Sequence, residues 1–459
     1  MINDDTIVAL ATPSGAGAIA IIRLSGPKAF TISNEIFSSI SGKDLMKQAT
    51  HTVHLGHIKE DDRLIDEVLV TLFKNPHSYT GEDVVEISCH GSPFIQQEII
   101  QLCLRKGARM ATAGEFTLRS FLNGKMDLSQ AEAVADLIAS DSEASHQLAI
   151  QQMRGGFSSE IQRLRDELLN FASLIELELD FAEEDVEFAN REEFQQLITR
   201  IKFVLKRLID SFASGNVLKN GIPVAIVGEP NVGKSTLLNV LLNEERAIVS
   251  DIAGTTRDTI EDEIVLGGIA FRFIDTAGIR ETTDTIEGLG IKKTFEKIKD
   301  SQVVILLFDG SSMKLRSLTS IKLEIEKIKN QYPQKPVLVV INKVDRVTED
   351  QKEKVNKILP EVLFLSAKTG EGVDQLTSQL LGFVNTGALR NNETIVTNSR
   401  HYDSLLKALE EIHKVQEGID AELSGDLLAI DIRQALYYFG EITGEITNDD
   451  LLGNIFANF

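Results

Sequence analysis

The sequence predicts a multidomain protein that combines α/β and all-α folds, and three observations lead to this fold class. The chain has 459 residues, which is long for one hydrophobic core, so about two to four domains are expected. Glycine-poor segments with apolar residues at i, i+3, i+4 and i+7 predict long helices on both sides of the middle of the chain. Between them, apolar β-branched runs alternate with helical segments, which is typical of a parallel sheet covered on both faces.

The first predicted domain, residues 1–121, is a small α+β domain. Its predicted strands are rich in β-branched residues, namely "AIAIIRLSG", "DEVLVTLF" and "EDVVEISCHG". A helix is expected in "SPFIQQEIIQLCLRKG", with Ser92 as N-cap, Pro93 in the first turn and Gly107 as the stop.

Two helical blocks, residues 122–219 and 384–459, are predicted to form one discontinuous domain. Each contains long segments with one apolar face, namely "SQAEAVADLIASDSEASHQLAIQQM", "SSEIQRLRDELLNFASLIELEL", "SRHYDSLLKALEEIHKVQEG" and "GDLLAIDIRQALYYFGEITG". Each block needs a cover for its apolar face, and the economical arrangement is that each block covers the other. The α/β block between them, residues 220–383, is therefore predicted to be an inserted domain.

Composition and charge narrow the class of protein. The net charge of −22 is the opposite of the basic stripe that usually tracks nucleic-acid phosphates, so any RNA contact must be local. No apolar run approaches the roughly 18 residues of a membrane helix, and the acidic start "MINDDTIVAL" is unlike a signal peptide. Cys89 and Cys103 are expected to be buried structural residues. We therefore expect a cytoplasmic protein without a membrane partner.

A glycine-rich loop, "GEPNVGKST" at residues 228–236, follows the strand "IPVAIV" and precedes the helix "STLLNVLL". It fits G-x-x-x-x-G-K-[ST] in the strand–loop–helix context that this phosphate-binding motif requires. Backbone N–H groups would face the phosphates, Lys234 would reach the β- and γ-phosphate oxygens, and Ser235 would bind Mg²⁺. The loop residues predicted to bind the nucleotide are Asn231, Val232, Gly233, Lys234, Ser235 and Thr236.

A second motif, "NKVD" from Asn342 to Asp345, ends the strand "PVLVVI" and resembles the guanine-recognition motif of Ras-like GTPases. Asp345 would accept hydrogen bonds from guanine N1–H and N2–H₂, which adenine does not offer. The segment "SAK" follows the last strand and would support the base. The predicted base-binding residues are Asn342, Lys343, Asp345, Ser366, Ala367 and Lys368.

Two segments between these motifs have the order and spacing of GTPase switches, "DIAGTTRD" and the "DTAG" that ends a strand. The first would bind the nucleotide and Mg²⁺, and the second would sense the γ-phosphate. Their predicted nucleotide-binding residues are Ser250, Ile252, Ala253, Gly254, Thr255, Thr256, Asp275, Thr276, Ala277 and Gly278. Together with the other two motifs, they predict a Ras-like P-loop GTPase domain that uses GTP.

One position of the second switch departs from Ras-type GTPases. In those proteins a glutamine follows the switch glycine and orients the attacking water, whereas this chain has Ile279, which cannot hydrogen-bond. No arginine finger is evident in the sequence to offset the loss of the glutamine. A nearby carboxylate must therefore orient the attacking water. From the residues alone, Glu281, Asp284 and Glu287 all remain candidates.

The chain closely resembles the MnmE (TrmE) family of tRNA-modification GTPases over nearly its whole length. The resemblance rests on the nucleotide motifs and on "DTIVALATPSGAGAIAIIRLSG", "SYTGEDVVEISCHG", "AGEFTLRSFLNGKMDLSQAEAVADLI" and "FGEITGEITNDDLLGNIF". It implies an N-terminal domain that forms a homodimer and binds 5-formyl- or 5,10-methylene-tetrahydrofolate. The matching folate-pocket residues are Arg23, Glu82 and Lys125.

The resemblance also implies how GTP is hydrolysed without the glutamine. Members of the family are expected to require K⁺ and to dimerise through their G domains, and the cation supplies the charge that an arginine finger supplies elsewhere. Glu287 aligns with the catalytic carboxylate of the family, which favours it over Glu281 and Asp284. The implied ligands are Asn231, Ser250, Ile252 and Thr255 for K⁺ and Ser235 and Thr256 for Mg²⁺.

The function implied by the resemblance is modification of C5 of the wobble uridine (U34) of certain tRNAs, together with an FAD-containing partner similar to MnmG. The alternative is a regulatory RNA-binding or ribosome-assembly GTPase, but that class should carry a basic RNA module, which the net charge of −22 does not provide. Family members continue beyond "NIF" into a Cys-Ile-Gly-Lys tail near the folate, and this sequence ends at Phe459. Either the sequence is truncated before this tail or this member of the family lacks it. We expect GTP hydrolysis not to need the tail, whereas a complete folate pocket and tRNA modification depend on it.

One modestly basic stretch stands out in the first two blocks and is a candidate for tRNA or folate contacts. The alternative for each of its residues is an ordinary solvent-exposed charge without a binding role. The stretch comprises Arg105, Lys106, Arg109, Arg119 and Lys125.

Overall fold

The structure is a computed structural model that describes residues 5–180, 190–244, 262–274, 298–312, 315–383, 394–446, 452 and 455–456. The chain divides into two compact units. The first comprises Met1–Ala135, Gln152–Phe194 and Lys414–Phe459, and the second comprises Asp136–Gln151 and Gln195–His413. Among the helices of the described ranges, none has the length and apolar character needed to cross a membrane.

The described residues of the first unit form a seven-stranded sheet in the order β3-β4-β5-β6-β2-β1-β7. All neighbouring strands are antiparallel except β1 and β7, which are parallel. The three strands predicted from β-branched runs are confirmed as β2, β5 and β6, whereas the other four were not predicted. The strands are β1 (Ile7–Leu10), β2 (Ile19–Ser25), β3 (Phe37–Ser39), β4 (Thr52–Glu60), β5 (Arg63–Phe73), β6 (Val84–His90) and β7 (Arg109–Met110).

Two helices, α1 (Ala29–Ile36) and α2 (Pro93–Arg105), contribute to the hydrophobic core of this sheet. Helix α2 begins after Ser92 as predicted, although the Ser92 side chain makes no capping hydrogen bond. The two cysteines are free and buried in this core. Burial raises the pKa of Cys89 to about 11 and that of Cys103 to about 12, so both thiols stay protonated at neutral pH, as expected of structural residues.

The helical segments largely follow the predicted amphipathic runs, with one difference. The segment "SQAEAVADLIASDSEASHQLAIQQM" forms two helices instead of one long helix, because a reciprocal cap interrupts it. Ser142 Oγ accepts from the Ser145 N–H (3.2 Å), and Ser145 Oγ accepts from the Ser142 N–H (3.1 Å), which starts a new helix at this point. The helices between residues 115 and 220 are α3 (Glu115–Leu122), α4 (Leu128–Ala139), α5 (Glu143–Met153), α6 (Gly156–Asp180) and α7 (Arg191–Asn220).

The two predicted helical blocks meet within the first unit. Helix α6 packs along α13 (Gly425–Thr443), the last long helix, and Arg433 forms an ion pair with Glu176 (2.6 Å). Both helices direct their apolar positions inward: Leu168 and Ile175 of α6 and Phe439 of α13 are buried. Each block therefore covers an apolar face of the other, as the amphipathic patterns predicted. The preceding helix, α12 (Ser399–Asp420), follows its predicted segment as well.

The described residues of the second unit form a six-stranded sheet in the order β13-β12-β11-β8-β10-β9. The predicted parallel arrangement is confirmed for five strands, but the edge strand β9 was missed and runs antiparallel to β10. Hydrophobic clusters lie on both faces, as expected of strands that are apolar throughout. The elements are β8 (Ile222–Val227), α8 (Lys234–Glu244), β9 (Asp262–Leu266), β10 (Ile269–Phe273), β11 (Val303–Asp309), α9 (Leu315–Gln331), β12 (Val337–Asn342), α10 (Glu349–Ile358), β13 (Val362–Phe364) and α11 (Val373–Gly382).

Candidate nucleotide-binding site

The phosphate loop connects β8 to α8 at the carboxyl edge of the second sheet, and its backbone conformation explains the glycines. Gly233 has φ = 103°, and a Cβ there would overlap the side-chain amide of Asn342. Lys234 begins α8, and its ammonium donates to the carbonyls of Gly228 (2.5 Å) and Glu229 (2.9 Å). The loop therefore forms a turn with a cation inside it, as a phosphate site requires.

The buried Asn342 side chain ties three segments of the site together. Its Nδ2 donates to the Val232 carbonyl in the phosphate loop (2.7 Å). Its Oδ1 accepts from the backbone N–H of Ala367 (2.9 Å) and from that of Lys343 (2.7 Å). One amide thus holds the phosphate loop, the end of β12 and the "SAK" segment in register.

The Lys343 side chain makes a further connection to the phosphate loop. Its Nζ donates to the carbonyl of Asn231 (2.7 Å) and to Oδ2 of Asp309 at the end of β11 (2.6 Å). Burial by itself raises the pKa of Asp309, but hydrogen bonds from Lys343 and Ser311 outweigh burial and lower it below its usual value. Asp309 is therefore an ionised partner of Lys343 at neutral pH.

The carboxylate of Asp345 is oriented by the last motif of the site. Ser366 Oγ donates to Asp345 Oδ1 (2.7 Å), and Arg346 lies 3.8 Å from Oδ2. Because a carboxylate oxygen has more than one acceptor position, Asp345 retains the capacity to accept two N–H groups from a base. These residues fit guanine, whose N1–H and N2–H₂ are both donors.

The remaining predicted residues of this site fall into two groups. Ser235 and Thr236 follow Lys234 in the first turn of α8, and Lys368 is exposed beside the buried Ala367. The others lie outside the described residues, namely Ser250, Ile252, Ala253, Gly254, Thr255, Thr256, Asp275, Thr276, Ala277, Gly278 and the three carboxylate candidates Glu281, Asp284 and Glu287.

The candidate folate residues lie around one segment, residues 76–82 of the first unit. The Arg23 guanidinium pairs with Glu86 (2.7 Å) and lies 5.5 Å from the centre of the Tyr79 ring. Lys125 Nζ donates to the carbonyl of Pro76 (3.0 Å). Glu82 is at the end of the same segment, so the structure brings all three predicted residues to it.

The Glu82 carboxylate belongs to a cluster of charged groups. It accepts from Ser25 Oγ (2.7 Å) and from Arg119 Nη1 (3.2 Å to each oxygen). Arg119 also pairs with Asp5 (2.5 Å) and with Glu115 (3.0 Å). Ser25 was not predicted to support this site, because its partner Glu82 is distant in sequence. Arg119 was predicted only as one of the basic candidates for tRNA or folate contacts, and the structure makes it a partner of Glu82.

The basic stretch predicted for tRNA or folate contacts is not a free cationic surface. Arg119 is buried, with 8% of its side chain exposed, so it is not an ordinary solvent-exposed charge either. Carboxylates from distant parts of the chain pair with four of the five residues in the described structure, and this is why local charge counting was misleading. These pairs are Arg105–Glu60 (2.7 Å), Lys106–Glu35 (3.2 Å), Arg109–Asp5 (2.6 Å) and Arg119–Asp5 (2.5 Å).

A largely parallel sheet with a glycine-rich phosphate loop and a guanine-type site at its carboxyl edge defines the part of the second unit from β8 to α11, residues 222–382, as a Ras-like P-loop GTPase domain. The family model of the GTP-binding protein TrmE N-terminus matches residues 6–125, and the family model of the MnmE helical domain matches residues 128–459. The chain belongs to the MnmE family of tRNA modification GTPases. The predicted fold class and the predicted class of enzyme, a GTP hydrolase of tRNA modification, are thereby confirmed.

Two relatives of the same family name agree with this assignment over their full length. The tRNA modification GTPase MnmE of Flavobacterium psychrophilum is 71% identical over 459 residues, which cover 100% of this chain and 99% of that protein. The protein of the same name from Flavobacterium johnsoniae is 70% identical over 463 residues, with 100% and 99% coverage. Among solved structures, a variant of Aquifex aeolicus Era bound to GDP.AlF4- is 27% identical and covers 41% of this chain and 66% of its own, with a TM-score of 0.27.

Proposed function

We propose that this protein is a potassium-dependent GTPase that modifies C5 of the wobble uridine (U34) of certain tRNAs in the cytoplasm. It would act with an FAD-containing partner similar to MnmG and use a one-carbon unit from 5-formyl- or 5,10-methylene-tetrahydrofolate. The observation that carries the proposal is 71% identity over the full length to a tRNA modification GTPase MnmE. The guanine-type site described above is independent support for the GTPase part.

GTP would bind along the carboxyl edge of the second sheet. Asp345, oriented by Ser366, would accept from the guanine edge, and Asn342 would keep the base segment and the phosphate loop in register. The ammonium of Lys234, now donating to loop carbonyls, would turn to the β- and γ-phosphate oxygens. Each of these roles uses a side chain that is already in the loop or at a strand end.

Two cations are part of this proposal. Mg²⁺ would be held by Ser235 and Thr256, and K⁺ would be held by Asn231, Ser250, Ile252 and Thr255. When bound, these ions supply positive charge where the leaving phosphate develops negative charge. Of the potassium ligands the structure describes Asn231, an exposed residue in the left-handed region (φ = 65°). Its carbonyl accepts from Lys343 Nζ, so the side chain would be the ligand for K⁺.

Pairing of two G domains would complete hydrolysis. Glu287 would orient the attacking water in place of the glutamine that Ile279 replaces. Pairing would also exclude bulk water from the site, which strengthens the interaction between the carboxylate, the cations and the phosphates.

The N-terminal domain would hold the folate carrier at Arg23, Glu82 and Lys125. Within the described structure the Lys125 ammonium donates to a carbonyl and to no carboxylate, so donors are available for an anionic ligand group. Glu82 offers an acceptor for the amino groups of a pterin. The Tyr79 ring and the Phe116 ring, both close to the Arg23 guanidinium, would offer a flat apolar surface.

A homodimer through the first unit is supported by an exposed apolar sheet face. Val53 (59% exposed) and Leu55 (47%) project from β4, and Leu69 (45%) lies opposite Leu55 on β5. Monomeric proteins rarely leave neighbouring apolar side chains of this size in water, so we propose that a second copy covers them.

Mass analysis of U34 nucleosides tests the proposed function. Cells that lack this protein should lose the C5 substituent on the affected tRNAs, and the wild-type chain should restore it. Glu82→Gln should fail to restore it, whereas Glu349→Gln, at an exposed position of α10, should succeed. An unchanged nucleoside pattern in the deletion strain would contradict the proposal.

A further inference from the structure

Asp309, Lys343 and Asn231 come from three separate segments and form one continuous chain of polar contacts. The Asp309 carboxylate accepts from Lys343 Nζ (2.6 Å), and the same ammonium donates to the Asn231 carbonyl (2.7 Å). Asp309 is itself held by the Ser311 N–H (2.9 Å) and hydroxyl (2.6 Å). The carboxylate therefore has a defined position, and it determines where the ammonium lies.

Two of these three residues have a backbone conformation that needs support from neighbouring side chains. Asn231 (φ = 65°) and Lys343 (φ = 63°) are non-glycine residues in the left-handed region. Such conformations persist only where surrounding contacts stabilise them. The Asn231 carbonyl receives that support from Lys343, while the neighbouring carbonyl of Val232 receives it from Asn342.

The charge of Lys343 also matters at Asn231. An ammonium only 2.7 Å from the Asn231 carbonyl would repel a second cation bound to the same residue. The ionised Asp309 carboxylate offsets this charge, since it pairs with the ammonium from the other side. With Asp309 in place, Lys343 holds the loop without opposing a monovalent cation.

We propose that Asp309 is a positioning residue that sets the response of the phosphate loop to potassium, by holding and neutralising Lys343 beside Asn231. This inference rests on the proposed potassium site at Asn231. Asp309 acts through Lys343 and does not need to touch the nucleotide. No motif of the sequence analysis included it.

A potassium titration of GTP hydrolysis tests the role of Asp309. The full-length wild-type, Asp309→Asn, Asp309→Glu and Asp350→Asn proteins are compared at constant ionic strength, with choline chloride replacing KCl. Asp350 is the matched control, because its side chain is 72% exposed on α10 and pairs locally with Lys354 of the same helix. The affinity for a fluorescent GDP analogue is measured in parallel without potassium.

We expect Asp309→Asn to raise the potassium concentration for half-maximal hydrolysis about fivefold, the effect of losing roughly one unit-charge interaction near the surface. The rate at saturating potassium and the potassium-free GDP affinity should stay within about twofold of wild type, because the base and phosphate contacts remain. Asp309→Glu keeps the charge and should shift the potassium requirement less, and Asp350→Asn should not shift it. If Asp309→Asn does not fold, the shift of Asp309→Glu in the same direction provides the test.

Three outcomes would overturn the inference, and they are distinguishable. A wild-type enzyme that depends on potassium, with variants of unchanged potassium requirement, would remove Asp309 from this role and leave the proposed function intact. A wild-type enzyme indifferent to potassium would overturn the proposed potassium dependence and the role of Asp309 with it. If Asp309→Asn loses potassium-free GDP affinity by as large a factor as its potassium requirement rises, Asp309 supports nucleotide binding generally. That result also contradicts the inference.

Discussion

The side-chain amide of Asn342 donates a 2.7 Å hydrogen bond to the backbone carbonyl of Val232, so one buried residue joins the base-recognition strand to the phosphate loop. The same side chain accepts from Ala367 N–H, so its donor and its acceptor are both used. Because the Asn342 side chain hydrogen-bonds to three segments, any change in its donor or acceptor atoms should weaken nucleotide binding.

Asn342→Asp should weaken nucleotide binding strongly. The substitution keeps the shape but removes the donor, and it places a carboxylate against the Val232 carbonyl, a loss on the order of 1–3 kcal/mol for an unsatisfied buried group. We expect GDP affinity to fall about 10-fold to 100-fold in equilibrium titration. Asn330→Asp, at an exposed position on α9, is the control and should bind normally. Unchanged affinity of Asn342→Asp would contradict the described role.

Asp345→Asn should change base selectivity from guanine towards xanthine. The amide offers a donor where the carboxylate accepted, and xanthine has a carbonyl where guanine has its amino group. We expect GDP affinity to fall at least about 100-fold while XDP affinity rises, measured by competition binding. If GDP still binds as in wild type, Asp345 does not contact the base.

Replacing potassium by sodium should slow GTP hydrolysis of the wild-type protein by about 10-fold or more, because a smaller ion fits the proposed ligand set less well and stabilises the developing charge less. The measurement is the turnover rate at equal ionic strength, with GDP affinity determined in both salts. Equal turnover in the two salts would exclude the potassium site.

Glu287→Ala should separate binding from hydrolysis. Loss of a group that orients or activates water typically costs about 10²-fold to 10⁴-fold in rate, whereas Glu287 is not proposed to contact the base or to hold the cations. Glu281→Ala and Asp284→Ala are matched controls on the same segment and should hydrolyse GTP at near wild-type rates. Normal turnover by Glu287→Ala, or an equal loss in a control, would reject the assignment.

The ion pairs among Asp5, Arg109, Glu115 and Arg119 should stabilise the folded first unit at neutral pH and lose this effect in acid. A hydrogen bond from Arg109 is the largest cause that lowers the pKa of Asp5, and Arg119 adds to it. Burial by itself raises the pKa of Glu115, but hydrogen bonds from Arg109, the Thr112 amide and Arg119 outweigh it and lower the pKa. Because both folded-state values lie below the ordinary values of about 4, the contribution is complete above about pH 5 and is lost as pH falls through the lowered values.

Chemical unfolding between pH 7 and pH 3 checks this expectation. The unfolding free energy of the wild-type protein should fall more steeply below about pH 4 than that of Asp5→Asn, which has lost one of the titrating groups. Parallel pH profiles of the two proteins would show that Asp5 has the same pKa in the folded and unfolded states.

Much of the fold was predictable where the signal is local. The amphipathic runs that became α6, α12 and α13 were predicted, and so were the β-branched strands around the phosphate loop. The unpredicted β9 is five residues long and lies at a sheet edge, so its pattern is short and only its pairing with β10 defines it. The break between α4 and α5 was missed, because the pattern of apolar residues continues across the Ser142 cap.

By itself, the sequence determined the GTPase class, since the phosphate loop and the guanine motif are contiguous and each carries its chemistry within a few residues. The tertiary structure alone decided which charges remain available. Arg119 reaches Asp5, 114 positions away, and Lys343 lies between Asp309 and Asn231, because folding brings together side chains whose separation in sequence carries no information about pairing. Ion pairs depend on distances of a few ångströms in space, so the carboxylates of distant segments pair with most of the basic stretch, and Asp309 pairs with Lys343 of the guanine motif.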